Sequence, residues 1–190
     1  MFEKIKEIKR LSKECENATS PEYDTDGARL INLSVSDDSN FLSPLSCDDK
    51  PMISGETASF LELNAKHTKV NEKIRFVIKS DVIDEREKAL YPKAIDNYYT
   101  AKIRDTKLEL KRNAIISFIM LLIGIVVFAT IIILNAINAQ TLILSVIDVI
   151  AWVFIWEAVD LFVFKRTELR NEQLLNLKLL TAKIEFIDKN

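Results

Sequence analysis

Apolar positions change their spacing along the chain, and each change marks an element. Residues 2–15 carry Phe2, Ile5, Ile8, Leu11 and Cys15 with Lys and Glu between them. A spacing of three and four is helical, so residues 1–16 are expected to form an amphipathic helix. It would either pack on a soluble domain or lie on a membrane surface; its near balance of charge favours packing. Asn17 to Gly27 is polar, holds Pro21, and reads as a loop. Ile31, Leu33 and Val35 then alternate with Asn32 and Ser34, the period of a strand. A second loop, Ser36 to Pro51, leads to Ser54, which can cap a helix presenting Ala58, Leu61 and Ala65 on one face. Ile74, Phe76 and Ile78 alternate with Arg75, Val77 and Lys79, a second strand. From about Asp81 a helical segment runs past Pro92, where a kink or a fresh start is expected. It continues with Ile95, Tyr98, Tyr99, Ile103 and Leu110.

Residues 28–112 thus read as a small α+β domain running into a long helix. Two strands alone make a poor domain. Three remedies are expected: a strand from the 37–53 loop, cover by flanking helices, or edge pairing with a second copy.

The pattern then becomes continuous. Ala114–Leu134 and Thr141–Phe164 are apolar runs that contain no Lys or Arg. About 20 such residues cross a bilayer core of about 30 Å. Asn135 to Gln140 is short and uncharged, a tight external turn. Lys111 and Arg112 precede the first run, and Lys165, Arg166 and Arg170 follow the second. The positive-inside bias places both termini in the cytoplasm. The expected fold is therefore an α+β membrane protein. It has an antiparallel two-helix transmembrane hairpin, a small N-terminal cytoplasmic α/β domain and a cytoplasmic helical tail over residues 165–190. In that tail Leu177, Leu180, Ile184 and Ile187 keep a three-four spacing like a seam. Helix continuity on both sides would pass movement of the cytoplasmic part to the hairpin.

Charge adds one feature. Of 28 Asp and Glu, three lie in the second run, leaving the soluble parts near balance with 26 Lys and Arg. Nothing there argues for nucleic acid. The three are Asp148, Glu157 and Asp160, and no cation shares the hairpin with them. Asp160, nearest the cytoplasmic boundary, is expected to pair with Lys111, Arg112 or Lys165 by snorkelling. Asp148 and Glu157 are nine positions apart, about 180° around a helix, so they cannot both face the same partner helix. Glu157 and Asp160 differ by about 60° and share a face. An outward acid would be protonated, hydrogen-bonded to a nearby Trp or hydroxyl, or covered by another subunit. Acids on opposite faces favour cover, and so a homo-oligomer. Trp152 and Trp156 are packing bulk or indole donors to those acids. Ser117 and Gly124, seven apart, would let helices approach closely, although not at the GxxxG spacing.

Catalytic signals are weak. Three glycines allow no phosphate loop or dinucleotide fingerprint. His67 is the single histidine and reads as a solvated surface residue; Cys15 and Cys47 read as free thiols. Asp37, Asp38, Asp48 and Asp49 lack the pattern and the Gly of a calcium hand. Tyr98 and Tyr99 read as packing or a membrane-boundary anchor. MFEKIKEIKRLSKEC has no apolar core long enough for a cleavable signal. No catalytic, cofactor or metal residue is assigned.

The blocks AWVFIWEAVDLFVFKRTELR (Ala151–Arg170) and INLSVSDDSNFLSP (Ile31–Pro44) resemble bacterial two-span membrane proteins of unknown function. The resemblance would cover most of the chain. It implies a bacterial inner-membrane location and brings no functional residues. The expected function is anchoring or regulation through self-association, without catalysis. The alternatives are an oligomeric channel, pore or membrane effector using the intramembrane acids and, third, a membrane-bound enzyme.

Overall fold

The computed structural model describes residues 6–7, 22–47, 49–66, 68–69, 72–137 and 141–188, apart from the side chains of 141–143. The expected helix over 1–16 lies outside the described residues except at Lys6 and Glu7, which are helical. Cys15, Asp48, His67 and half of the expected turn (residues 138–140) also lie outside them.

The elements are β1 (Arg29–Ser34), α1 (Gly55–Ala65), β2 (Ile74–Lys79), α2 (Glu85–Ala136), α3 (Thr141–Val159), a π-helical segment (Asp160–Lys165), α4 (Arg166–Leu180) and β3 (Lys183–Ile187). They divide into two units. One holds Met1–Asn97 and Lys178–Asn190; the other holds Tyr98–Leu177.

The first unit is built on a three-stranded sheet of order β1-β2-β3, parallel throughout. Ile31 pairs with Phe76 and Phe76 with Ile184; Leu33 pairs with Ile78 and Ile78 with Phe186. These rows form the inward face. Side chains alternate across a strand, so Arg75, Lys183 and Glu185 take the other face. Val77 is buried too, although alternation marks it as outward. It sits on the central strand, where neighbours on both sides shield it.

The third strand corrects the sequence reading. The tail, expected to be helical over 165–190, is helical only to Leu180 and then extends into β3. Among its described residues the 37–53 loop supplies no strand; it forms isolated antiparallel bridges, Leu42–Ile53 and Cys47–Lys50. Leu42 and Ile53 lie beside the backbone bonds from Ser43 to Met52 and from Ser54 to Phe41. Chain order makes the sheet depend on both ends of the hairpin region: β2 leads into α2, and α4 returns to β3.

Ser54 caps α1 as expected, its side chain accepting from the Thr57 amide at 3.2 Å. Ala58, Leu61 and Ala65 are buried along that helix. The start of α2 contributes Tyr91, Ala94 and Ile95 to the core. Tyr91 stacks on Phe41, with ring centroids 4.1 Å apart, and donates to Asp38 Oδ2 at 3.0 Å. Burial, and then that bond, push its hydroxyl above the ordinary tyrosine range. Pro92 neither ends nor restarts α2, which runs unbroken for 52 residues. Its missing N–H leaves the Lys88 carbonyl, one turn back, without its usual intrahelical donor, and its ring crowds the same carbonyl.

The second unit contains the apolar run of α2. Among the described residues, α2 is the one helix found long and apolar enough to cross a membrane. Its large apolar side chains, from Ile115 and Phe118 to Ile132 and Ile133, are mostly exposed. A soluble protein rarely exposes that much contiguous apolar surface. The second run is α-helical over 19 residues and then widens into the π segment. α4 packs by one face in which Leu169 and Asn176 are buried.

Asn176 is fully buried, and neither its Nδ2 nor its Oδ1 has a hydrogen-bond partner among the described residues. A buried amide left unpaired carries its desolvation cost uncompensated, about 1–3 kcal/mol. Asn176→Leu, close in volume and without polar atoms, should raise stability by about 1 kcal/mol. Thermal unfolding of the two proteins in one detergent measures this.

Candidate functional site

Small residues create the helix contact in the second unit. Ser117 and Gly124 lie seven apart on α2, and both are buried. On α3, Ala151 and Ala158 are also seven apart and are 0% and 3% exposed. Seven residues is close to two helical turns, so each pair forms a stripe. The Ser117 hydroxyl donates to the Ala158 carbonyl at 2.7 Å. A Cβ added at Gly124 would stand 2.8 Å from Ile155 Cγ1 and 3.5 Å from the Ala151 carbonyl oxygen. Residue 117 therefore meets 158, and 124 meets 151 and 155, which is an antiparallel contact. The sequence marked Ser117 and Gly124 but not their counterparts; the equal seven-residue spacing of two alanines was the available signal.

This contact fixes the faces on which the acids lie. Asp148 is half-buried, beside the packed stripe of Ala151, Ile155 and Ala158. Glu157 and Asp160 are exposed. The half-turn separation between Asp148 and Glu157 thus leaves one carboxylate near the partner helix and one on the outer surface. Trp152 and Trp156 are 58% and 67% exposed, so neither fills the helix contact. No hydrogen bond joins either indole to Asp148 or Glu157 among the described residues. The expected pairing of Asp160 is also absent among them. Lys165 instead pairs with Glu168 at 3.0 Å, one turn along its own helix.

The acids are followed by a change of winding. From Asp160 to Lys165 the backbone is π-helical. Such segments are rare and recur at functional sites. Thr167 donates to the Val163 carbonyl at 2.7 Å, satisfying an acceptor where the winding changes. Arg166 lies over the Phe162 ring at 5.1 Å, a cation–π contact that ends the apolar run. No Pro or Gly marks this segment, so its widened winding is not legible from residue types.

Two apolar hollows flank the helix contact. One, of about 290 Å³, is lined by Ser117, Phe118, Leu121 and Phe162 among others. The other, of about 390 Å³, is lined by Phe128, Ile132, Trp152 and Ile155 among others. Neither presents a charged side chain. Among the described residues no group of His, Cys, Asp and Glu is arranged to hold a metal. Cys47 is a free, exposed thiol. The arrangement suits association with lipid or with another apolar surface, and it brings no nucleophile to an acid or base.

Comparison with family models, with curated proteins and with solved structures finds no match for this chain.

Proposed function

We propose that this is a non-enzymatic assembly or regulatory protein anchored in a membrane and acting through self-association. In this reading Ala114–Leu134 and Thr141–Phe164 are two spans, with both termini on the cytoplasmic side of a bacterial inner membrane. The observation that carries the reading is the exposure of Glu157 and Asp160 on the side of α3 away from its helix contact. A carboxylate at the middle of a span costs about 2.5–3.5 kcal/mol on insertion scales, and less towards the end where Glu157 and Asp160 lie. The hairpin offers no cation to offset that cost. A second copy removes the acids from lipid and presents donors of the right kind, the exposed indole N–H groups of Trp152 and Trp156. The apolar hollows beside the contact accept side chains from the same neighbour. Because both ends of the hairpin lead into one sheet, through β2 and β3, assembly in the membrane would be coupled to the soluble unit.

Native mass spectrometry of detergent-solubilised protein tests this. The wild type should be a defined oligomer, and Glu157→Gln with Asp160→Asn should alter the subunit number or its stability. A monomer at all protein concentrations contradicts the reading. The second reading, an oligomeric channel, rests on the same acids. It requires cation flux into vesicles that falls in the double variant, whereas the assembly reading expects no flux.

A further inference from the structure

The first unit contains a cavity of about 490 Å³ at the N-terminal ends of the strands, lined by Asp26, Glu72, Lys73, Arg75, Lys178 and Lys183 among others. The β2–β3 register brings Arg75 beside Lys183, while α4 supplies Lys178 from the turn before β3. Four cations and two acids therefore converge there, and the two signs are used differently. Arg75 is committed to Asp24 at 2.8 Å, Asp26 at 3.4 Å and Glu185 at 3.6 Å. Glu72 accepts from the Tyr23 hydroxyl at 3.3 Å and from the Lys69 amide at 3.0 Å. Asp26 is thus occupied by Arg75, while Glu72, bonded to neutral donors, keeps its charge and acts on Lys178. Lys178 reaches only carbonyl oxygens, those of Thr68 at 3.2 Å and of Lys69. Carbonyls satisfy its protons without neutralising its charge, and desolvation holds its pKa below the ordinary lysine range. Lys73 and Lys183 have no carboxylate partner among the described residues. Three ammonium groups, Lys73 and Lys183 without a carboxylate partner and Lys178 offset in part by Glu72, thereby line a concave site large enough for a small molecule.

We propose that this cavity binds a phosphate-bearing anion on Lys73, Lys178 and Lys183. Lysine binds phosphate as a point charge, and three converging ammonium groups fit a group with several charged oxygens. The C-terminal end of the sheet is the weaker candidate. Strand order does not reverse there, so no switch-point crevice forms, and its hollow presents Asp37 and Glu56, which repel anions. This proposal depends on the first unit alone and stands or falls separately from self-association.

The test is calorimetric titration of the full chain in detergent at low salt. The probes are pyrophosphate and, separately, sn-glycerol 3-phosphate as the surrogate for a phospholipid headgroup. At least one should bind with a Kd of about 1 mM or tighter. Lys73→Ala with Lys183→Ala should weaken it at least about tenfold, as should added salt that screens the charges. Lys79→Ala, at the opposite end of β2, should leave it unchanged. Tighter pyrophosphate binding assigns a soluble ligand; tighter glycerol phosphate binding assigns a lipid headgroup. Absence of binding by both probes, or equal binding by the double variant, overturns the proposal.

Discussion

Deletion of residues 181–190 should unfold the first unit. The deletion removes β3 and with it the pairing of Phe76 with Ile184 and of Ile78 with Phe186. β2 then changes from a central strand to an edge, although its Ile74, Phe76, Val77 and Ile78 are all buried in the intact sheet. A two-stranded parallel remnant cannot shield that row, and its open backbone edge invites pairing with other chains. Half-burial of Ile184 and Phe186 together contributes about 2–3 kcal/mol at the usual transfer rate. The lost ladder bonds add about 0.5–1.5 kcal/mol each. Against a typical domain stability of about 5–15 kcal/mol, that is enough to lose the fold. Limited proteolysis should cut the deleted protein throughout residues 22–97 under conditions in which the intact chain resists. Unchanged protection would mean that β3 is dispensable.

Gly124→Leu should separate the two apolar helices. The first added atom already falls 2.8 Å from Ile155 Cγ1, inside any normal carbon contact, and the α3 backbone at Ala151 and Ile155 lies 3.5 Å away. The remaining three carbons have no space except by displacing α3, which also stretches the 2.7 Å bond from Ser117 to Ala158. Overpacking of this kind costs about 1–3 kcal/mol. Loss of the hydrogen bond between the helices adds about 0.5–1.5 kcal/mol. The expected readout is a lower unfolding midpoint in detergent. The same enlargement at an exposed position of the helix would be neutral, so the size of the loss reports the contact directly.

The parts of this molecule legible in the sequence are those set by local pattern. β1 and β2 follow from alternation, α1 from its Ser54 cap and buried stripe, and unbroken α2 from the lack of breakers after Pro92. The geometry of the acids was legible as well, because Asp148 and Glu157 sit half a turn apart on any α-helix. β3 was not. Leu177, Leu180, Ile184 and Ile187 satisfy a helical spacing, while Ile184 and Phe186 between Lys183 and Glu185 satisfy a strand, and five residues support both. Its partner β2 lies more than 100 residues earlier, and a parallel pairing at that separation leaves no local trace. Asn176 and the basic cavity were hidden for the same reason. Lys73, Arg75, Lys178 and Lys183 are unremarkable in sequence and acquire meaning only when β2 and β3 lie side by side.

Self-association through the outer surface of α3 is the central claim, and oxidative cross-linking in native membranes reaches it most directly. Cys15→Ser with Cys47→Ser provides a background without native thiols. Single cysteines at Val149 and Val153, which are 63% and 61% exposed, should then form disulfide-linked dimers. A cysteine at Ala151, buried in the helix contact, should not. Dimers absent from both exposed positions, or formed equally at Ala151, would contradict the claim.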